Sequence, residues 1–428
     1  MWESMATTRR QDRVLHGFAK ALNVVIGLIA LPAWLIGQRA SGPLRDLLAR
    51  RGARRRPALP RPPARGERTM DSVMEELRAI PEDLRPSQAR ELRKGLADLS
   101  TFVLSQQAEV TGLGYAYPSQ FSGHVFEGAD GERIAATIGL HGEPRPGLIV
   151  VHGLFSSSRF DYVRQIAVRA YYEWGFNVAA IDLRSFGVTE LTTSAPSTAG
   201  WKEGEDIIAL ARYMKDLGAT SVGALGISLG GSSVLGASHP EGAEQALDGG
   251  ILAVSPPAEP RAVAERLSRR LPRRHPAYAL NYGFHAMLTS RVRSARWPDD
   301  VATMPDALAA LAPPYYGISA EEIWARASAR NHIAGARVPV LVLHPSDDKI
   351  IKVEEAAKIE QAAAGNDLVR VWIVGAGSHG ALDAMDSTWT YAVYRRFFER
   401  WADYPDPAKF GSRVNGNLVY SQSVREPE

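Results

Sequence analysis

The residues with the clearest chemical potential are in "LGISLGGSSVLGAS", Leu225 to Ser238. Gly226-Ile227-Ser228-Leu229-Gly230 fits G-x-S-x-G, which places a serine on a sharp strand-to-helix turn. The pentapeptide is common by chance, and its context gives it weight. It ends the apolar run "SVGALGIS" (221–228) and opens a segment rich in small residues. Ser228 is therefore the candidate nucleophile, and a serine hydroxyl needs a base and a group that orients the base. "GAGSHGALD" places His379 in the loop after the last apolar run. "LHPSDDKIIKV" places Asp347 and Asp348 in the loop after the preceding one, and either could accept from the imidazole. The order Ser, Asp, His suits a nucleophile on this kind of turn. "VVHGLFSSS" follows another apolar run, so the backbone N–H of Leu154 and that of Leu229 are the candidate oxyanion donors. His152 reads as a holder of that loop, His344 as a support of the acid loop, and Asp182 as a turn-former.

These residues need a scaffold that brings loop ends together. The runs at 147–153, 177–184, 221–228, 249–257, 338–345 and 368–375 are apolar throughout and alternate with helical patterns at 159–175 and 201–218. Fully apolar strands joined by helical crossovers predict an α/β fold, a mostly parallel sheet covered by helices on both faces. Upstream, an alternating pattern around Asp130-Gly131 predicts a hairpin. Residues 258–337 interrupt the rhythm with a mostly helical, aromatic-rich insertion, a cap placed before the acid-bearing strand. The expected division is 1–70, an apolar helix and an Arg/Pro-rich linker; 71–120, an accessory helical segment; 121–257 with 338–405, the core; 258–337, the cap; and 406–428, a tail. Phe155, Tyr282, Phe284, Met287 and Trp297 are the candidate substrate contacts, with helical packing as the plain alternative.

The bulk properties narrow the classes. At 428 residues and 45% hydrophobic content the chain can bury a large core, and without cysteine it has no disulfide, thiol nucleophile or thiolate metal site. His124, His141, His239, His275, His285 and His332 are scattered, with no metal-binding spacing. There is no dinucleotide or P-loop motif, so no cofactor and no metal are expected.

The net charge is +3, but arginine gathers at 39, 45, 50, 51, 54, 55, 56, 61, 65 and 68, against Asp46 and Glu67. That cluster lacks interleaved aromatics, so nucleic acid is not an expected partner. It follows the apolar stretch "ALNVVIGLIALPAWLIG", Ala21 to Gly37. As a helix this stretch spans about 25 Å. It can be a membrane anchor (residues 14–37 with the arginines on lipid head groups), a cleaved signal peptide, or a helix packed on protein. No A-x-A site follows it, which weighs against the signal peptide. The charge asymmetry predicts a membrane-associated chain with its body in the cytoplasm, or a cytoplasmic chain if there is no anchor. Nothing in the sequence fixes the oligomeric state.

From about Val125 to Tyr404 the sequence resembles the α/β-hydrolase superfamily, on His152-Gly153-Leu154, Asp182-x-Arg184-x-x-Gly187, Gly226-x-Ser228-x-Gly230, Asp348 and His379. Within it, "HGLFSSSRFDYV", "GISLGGSSVLG" and "PPYYGISAEEIWARASARNHIAGARVPVLVLHPSDD" look most like the YheT-like hydrolases, whose eukaryotic relatives are membrane-anchored lipid esterases. The superfamily's acid lies three residues after a glycine. Here Pro345 replaces that glycine and the count selects Asp348. The resemblance implies an α/β-hydrolase fold, a Ser228–Asp348–His379 triad and hydrolysis of acyl esters, with lipid-like substrates favoured. Two other functions fit the same residues: acyl transfer through the same triad, and a non-catalytic membrane-associated scaffold.

Overall fold

The computed structural model describes residues 68–80, 117–270, 272, 301, 303–375, 377, 379, 388–404, 413–414 and 417–418. The apolar stretch Ala21–Gly37 and the arginine cluster up to Arg65 lie outside them, as do Tyr282, Phe284, Met287 and Trp297. Among the described residues no helix is long and apolar enough to cross a membrane.

Eight strands make one sheet: β1 Phe121–Glu127, β2 Arg133–Gly139, β3 Arg145–Val151, β4 Asn177–Ile181, β5 Ala219–Ile227, β6 Ile251–Val254, β7 Val340–Pro345 and β8 Val369–Val374. Their order is β1-β2-β4-β3-β5-β6-β7-β8. β1 with β2 and β2 with β4 are antiparallel, and every other pair is parallel. The hairpin is the one expected, with Asp130 at φ 59° and Gly131 at φ 75° in its turn. Aspartate and glycine are the residues that accept this left-handed backbone most readily.

The uniform apolarity of the central strands has a direct cause. Successive side chains of a strand point to opposite faces, and here both faces are covered. Ile149, Val151, Val222, Ala224, Ile251, Ala253, Val340 and Val342 enter one core cluster. Leu148, Val150, Leu225, Ile227, Leu252, Val254, Leu341 and Leu343 enter the other.

Helix α1 (Met70–Arg78), α2 (Asp161–Arg169), α3 (Trp201–Asp216), α4 (Leu229–Gly236), α5 (Pro260–Ser268), α6 (Met304–Tyr316), α7 (Ala320–Ala327), α8 (Val353–Ala362) and α9 (Thr388–Trp401) complete the frame, beside one-turn helices. Residues of α3, α4 and α8 line the first core, and residues of α1, α2 and α9 the second. The fold class is the α/β-hydrolase arrangement expected from the sequence.

Of the segment expected to be accessory (71–120), residues 71–80 and 117–120 are described, and the helix at its start packs into the body. Met70, Val73, Met74 and Leu77, at helical i, i+3, i+4 and i+7 spacing, are all buried with α9 in the second core. Thr69 caps α1 by accepting from the Ser72 N–H at 3.3 Å, and Asp71 pairs with Arg370 of β8 at 2.8 Å.

The insertion holds α5, α6 and α7 around a small core of Ala264, Leu308, Ala312, Ile323 and Trp324. One of its ties to the body is Arg184, which is fully buried. The guanidinium donates to both oxygens of Asp206 at 2.7 and 2.8 Å, to the Ala129 carbonyl at 3.0 Å and to Tyr316 Oη at 2.9 Å. Tyr316 in turn donates to the Pro196 carbonyl at 2.7 Å. One planar cation therefore fixes the end of α6 against α3 and the β1–β2 turn, and all its bonds are made away from water. Burial works against the charge on Arg184, but the Asp206 contacts outweigh it and hold the guanidinium protonated.

At the end of the insertion His332 lies against His239, ring centroids 4.3 Å apart, and neither His332 ring nitrogen has a hydrogen-bond partner. Burial first, and then the facing His239, hold His332 down to about 3. His239 is also lowered, chiefly by burial; Glu205 opposes that shift and Arg337 adds to it. An unfolded histidine titrates near 6.5. The unfolded chain therefore binds a proton that the folded chain refuses between those values, and stability is lost as pH falls through that window. Thermal unfolding of wild type and His332→Leu between pH 7 and pH 4 should show the wild-type midpoint dropping more steeply. Parallel curves would count against the pair as an acid-labile contact.

Candidate active site

The carboxyl ends of the parallel strands deliver the candidate residues in spatial order. Leu154 follows β3, Ser228 follows β5, Asp348 follows β7 and His379 follows β8. Adjacent strands lie about 4.8 Å apart, so Ser228 and Asp348, two strands apart, start roughly 10 Å from one another. An imidazole between them is the natural bridge.

Ser228 sits at φ 59°, ψ −117°, directly between β5 and α4. A non-glycine residue held there carries strain of about 1–3 kcal/mol. The flanking glycines are required by close approach. A Cβ on Gly226 would overlap the Gly230 carbonyl, and one on Gly230 would lie 2.6 Å from the His152 oxygen. The turn therefore presses the start of α4 onto the end of β3, which puts the Leu154 loop beside the serine. Even a Cβ added to Gly153 would come within 3.4 Å of Ser228 Cβ.

Asp348 and His379 are in contact: His379 Nδ1 and Asp348 Oδ2 are 2.8 Å apart. The carboxylate accepts, so Nδ1 carries the proton and Nε2 of the neutral ring is left as an acceptor. The Ile350 and Ile351 N–H groups donate to Asp348 Oδ1 at 2.8 and 2.9 Å. Burial alone would raise the Asp348 carboxyl. The bond and charge of His379, the Ile351 N–H and the Ser255 hydroxyl more than offset that and hold it below the usual carboxylate range. Asp347 is exposed, so the structure separates the two acids that the sequence left side by side. Among the described residues no hydrogen bond joins Ser228 Oγ to the His379 ring. Such contacts commonly tighten only around substrate.

The supporting histidines hold their loops. His152 is buried, with Nδ1 2.7 Å from the Gly153 carbonyl, while Nε2 accepts from the Leu183 N–H at 3.0 Å. His344 is buried and its Nε2 lies 2.9 Å from the Ile351 carbonyl, on the acid loop. Asp182 accepts from the Ser158 N–H at 2.6 Å and the Val188 N–H at 2.9 Å, joining the loops after β3 and β4. Phe155, expected at the substrate, packs instead in the core, edge-on to Phe186 with centroids 6.5 Å apart. Its left-handed backbone, φ 57°, turns its side chain inward one residue after Leu154.

Two residues that the sequence did not single out belong to this arrangement. Tyr162 Oη accepts from the Gly153 N–H at 2.8 Å and donates to Ser156 Oγ at 3.1 Å. It sits at helical spacing in α2, where an aromatic reads as core. Ser255, after β6, is among the groups that favour the charged form of Asp348. A lone serine before two prolines carries no sequence signal for that. The Gly153 N–H donates to Tyr162 and the Ser228 N–H to the Val254 carbonyl at 2.9 Å, whereas among the described residues the Leu154 and Leu229 N–H groups have no partner. Among the described residues no group of three metal-ligating side chains occurs.

Comparison with known proteins agrees with this architecture. The model of the Alpha/beta hydrolase family matches residues 148–393, more than half of the chain. No curated protein matches the sequence. Among solved structures, a Pyrococcus furiosus esterase is similar at 19% identity and a TM-score of 0.46, over 66% of this chain and 92% of that one. A Mycobacterium tuberculosis puromycin-hydrolyzing peptidase is similar at 17% and 0.46, over 68% of this chain and 40% of the other. The esterase domain of a Rhodothermus marinus protein is similar at 18% and 0.40, over 66% and 99%. Likeness at this level carries nothing about substrate.

The geometry at Tyr162 makes a prediction. Tyr162→Phe strands the buried Gly153 N–H, and the unfolding free energy should fall by about 1–2 kcal/mol in urea titration. An unchanged midpoint would show that the loop does not depend on this bond.

Proposed function

The chain belongs to the alpha/beta hydrolase family, and from that premise we propose that it is a serine hydrolase cleaving carboxylic esters through an acyl-enzyme. The observation that carries the reading is one edge of the sheet. There a strained serine, the Leu154 and Leu229 backbone N–H groups and a hydrogen-bonded Asp348–His379 pair follow the ends of neighbouring strands.

In this reading Ser228 Oγ attacks the ester carbonyl carbon while its proton passes to His379 Nε2. Asp348 holds the ring through Nδ1 and stabilises the imidazolium. The Leu154 and Leu229 N–H groups take the charge that develops on the carbonyl oxygen; loss of one such donor typically costs about 3 kcal/mol. The tetrahedral intermediate collapses, the ester C–O bond breaks, and the alcohol leaves with the proton from Nε2. Water then attacks the acyl-enzyme, giving a proton to Nε2. The acid leaves and Ser228 recovers its hydrogen.

The substrate class is narrower than the chemistry requires. The resemblance to YheT-like hydrolases, which spans the end of the cap and the acid loop, supports a lipid-like ester. The apolar stretch at 21–37 and the arginines after it support a membrane-associated chain with its body in the cytoplasm.

Two experiments test these statements. Wild type should react with a serine-directed fluorophosphonate and hydrolyse p-nitrophenyl esters, whereas Ser228→Ala should lose labelling and at least about a thousandfold in kcat. Retained turnover in that variant ends the assignment of Ser228. For location, the full chain should remain with membranes after alkaline carbonate extraction and be released by detergent. Recovery in the soluble fraction would remove the anchor.

A further inference from the structure

We infer that Arg266 of the cap is a positioning residue for Asp348, an assignment that rests on the reading of Asp348 and His379 given above. Arg266 lies in the last turn of α5, half-buried, and its Nη2 donates to the Ile350 carbonyl of the acid loop. That carbonyl and the Ile351 N–H belong to one peptide unit. The unit is planar and trans, so its C=O and N–H point in opposite directions. The Ile351 N–H donates to Asp348 Oδ1 at 2.9 Å. Arg266 therefore grips from the cap the same rigid plate that holds the carboxylate with its other side. A cation on the carbonyl also polarises the amide and strengthens its N–H as a donor.

The next peptide is fixed from the sheet side, where the Ile351 carbonyl lies 2.9 Å from His344 Nε2. Arg266 supplies the matching restraint from the cap, and α5 is itself held across the acid loop at both ends. At its start, Glu355 Oε2 accepts from the Ala258 and Glu259 N–H groups at 2.9 and 3.0 Å. Glu355 is buried in the first turn of α8, the helix that follows the acid loop. At its end, Arg266 reaches Ile350. From Pro260 to Arg266 the helix rises about 9 Å, so the two contacts fix its direction as well as its place. Between them Ala264 packs in the cap core against α6 and α7. The seating of the cap is therefore transmitted to the acid. A shift of α6 or α7 moves α5, and through Arg266 it moves the peptide that orients Asp348.

The test uses Arg266→Met and Arg266→Lys in the full-length protein with a p-nitrophenyl ester. Methionine keeps the apolar stem and removes the donor and the charge. Lysine keeps one charged donor, and one bond is what the carbonyl accepts. Positioning predicts that methionine lowers kcat roughly tenfold with KM within about twofold of wild type, while lysine stays within about threefold in kcat. A raised KM with unchanged kcat would make Arg266 a substrate contact and overturn the assignment. So would a lowered unfolding midpoint with unchanged kcat, or an equal loss in both variants. The methionine loss should vanish when it is added to Asp348→Asn, because the arginine acts through the carboxylate. An additive further loss would also overturn it. If the methionine variant does not fold, Arg266→Gln, whose amide is too short for the carbonyl, takes its place with the same expected loss. Full activity in Asp348→Asn would instead refute the hydrolase reading, so the two failures are told apart.

Discussion

The candidate site depends on a backbone ladder that runs past the ends of the strands. The Ser228 N–H donates to the Val254 carbonyl at 2.9 Å, the Ser255 N–H to the Leu343 carbonyl at 3.0 Å and the Ser346 N–H to the Val374 carbonyl at 2.8 Å. Each bond extends the parallel pairing of β5 with β6, β6 with β7 and β7 with β8 by one step. Loops that would otherwise start from frayed ends start instead from fixed points spaced at about 4.8 Å. That regular spacing lets three side chains from non-neighbouring parts of the chain be aimed at one another. The rigidity comes from below. Both faces of the strands are sealed by helices, and close-packed cores do not deform continuously.

A second constraint sits on the same edge. Among the described residues, six non-glycine residues have positive φ, and four of them are Phe155, Ser185, Ser228 and Ser255. These follow the carboxyl ends of β3, β4, β5 and β6, four adjacent strands. A strand leaving its sheet must turn at once if its next side chain is to stand over the edge. The left-handed backbone is the sharpest turn available to one residue. Strain of this kind persists where neighbours over-determine the conformation. Here they do so through the ladder and through contacts such as Gly230 against the His152 carbonyl, too close to admit a side chain.

Much of this could be read from the chain itself, for physical reasons. Strands buried on both faces must be apolar throughout, so β3 to β8 announce themselves. The glycines around Ser228 are steric necessities, and a motif made of necessities survives as a pattern. The order Ser228, Asp348, His379 follows from the order of strands. The choice between Asp347 and Asp348 is harder, because it depends on which of two adjacent carboxylates faces inward. The turn settles it by presenting the Ile350 and Ile351 N–H groups to Asp348 alone. Ser255 and Tyr162 were not legible. The cue for a left-handed position is a glycine, and β6 ends in a serine. Tyr162 falls where a helix would bury an aromatic in any case. Proximity in sequence to Leu154 does not fix direction, and the Phe155 backbone places its ring in the core cluster.

The most informative property of the site is what it leaves unbonded. Buried backbone N–H groups in folded proteins are nearly always partnered. Around Ser228 that rule is enforced with some effort. The Gly153 N–H is given to a tyrosine hydroxyl and the Leu183 N–H to a histidine ring, while those of Ile350 and Ile351 go to a carboxylate. Among the described residues the Leu154 and Leu229 N–H groups, both half-buried, make no such bond, and Leu229 directly follows the strained serine. Helix starts always leave some N–H groups free, so Leu229 alone would mean little. Leu154 opens no helix. Two such donors after neighbouring strands are what a developing negative charge requires. This subtraction, more than the presence of a serine, is why the edge reads as a place for acyl chemistry rather than as a tightly packed turn.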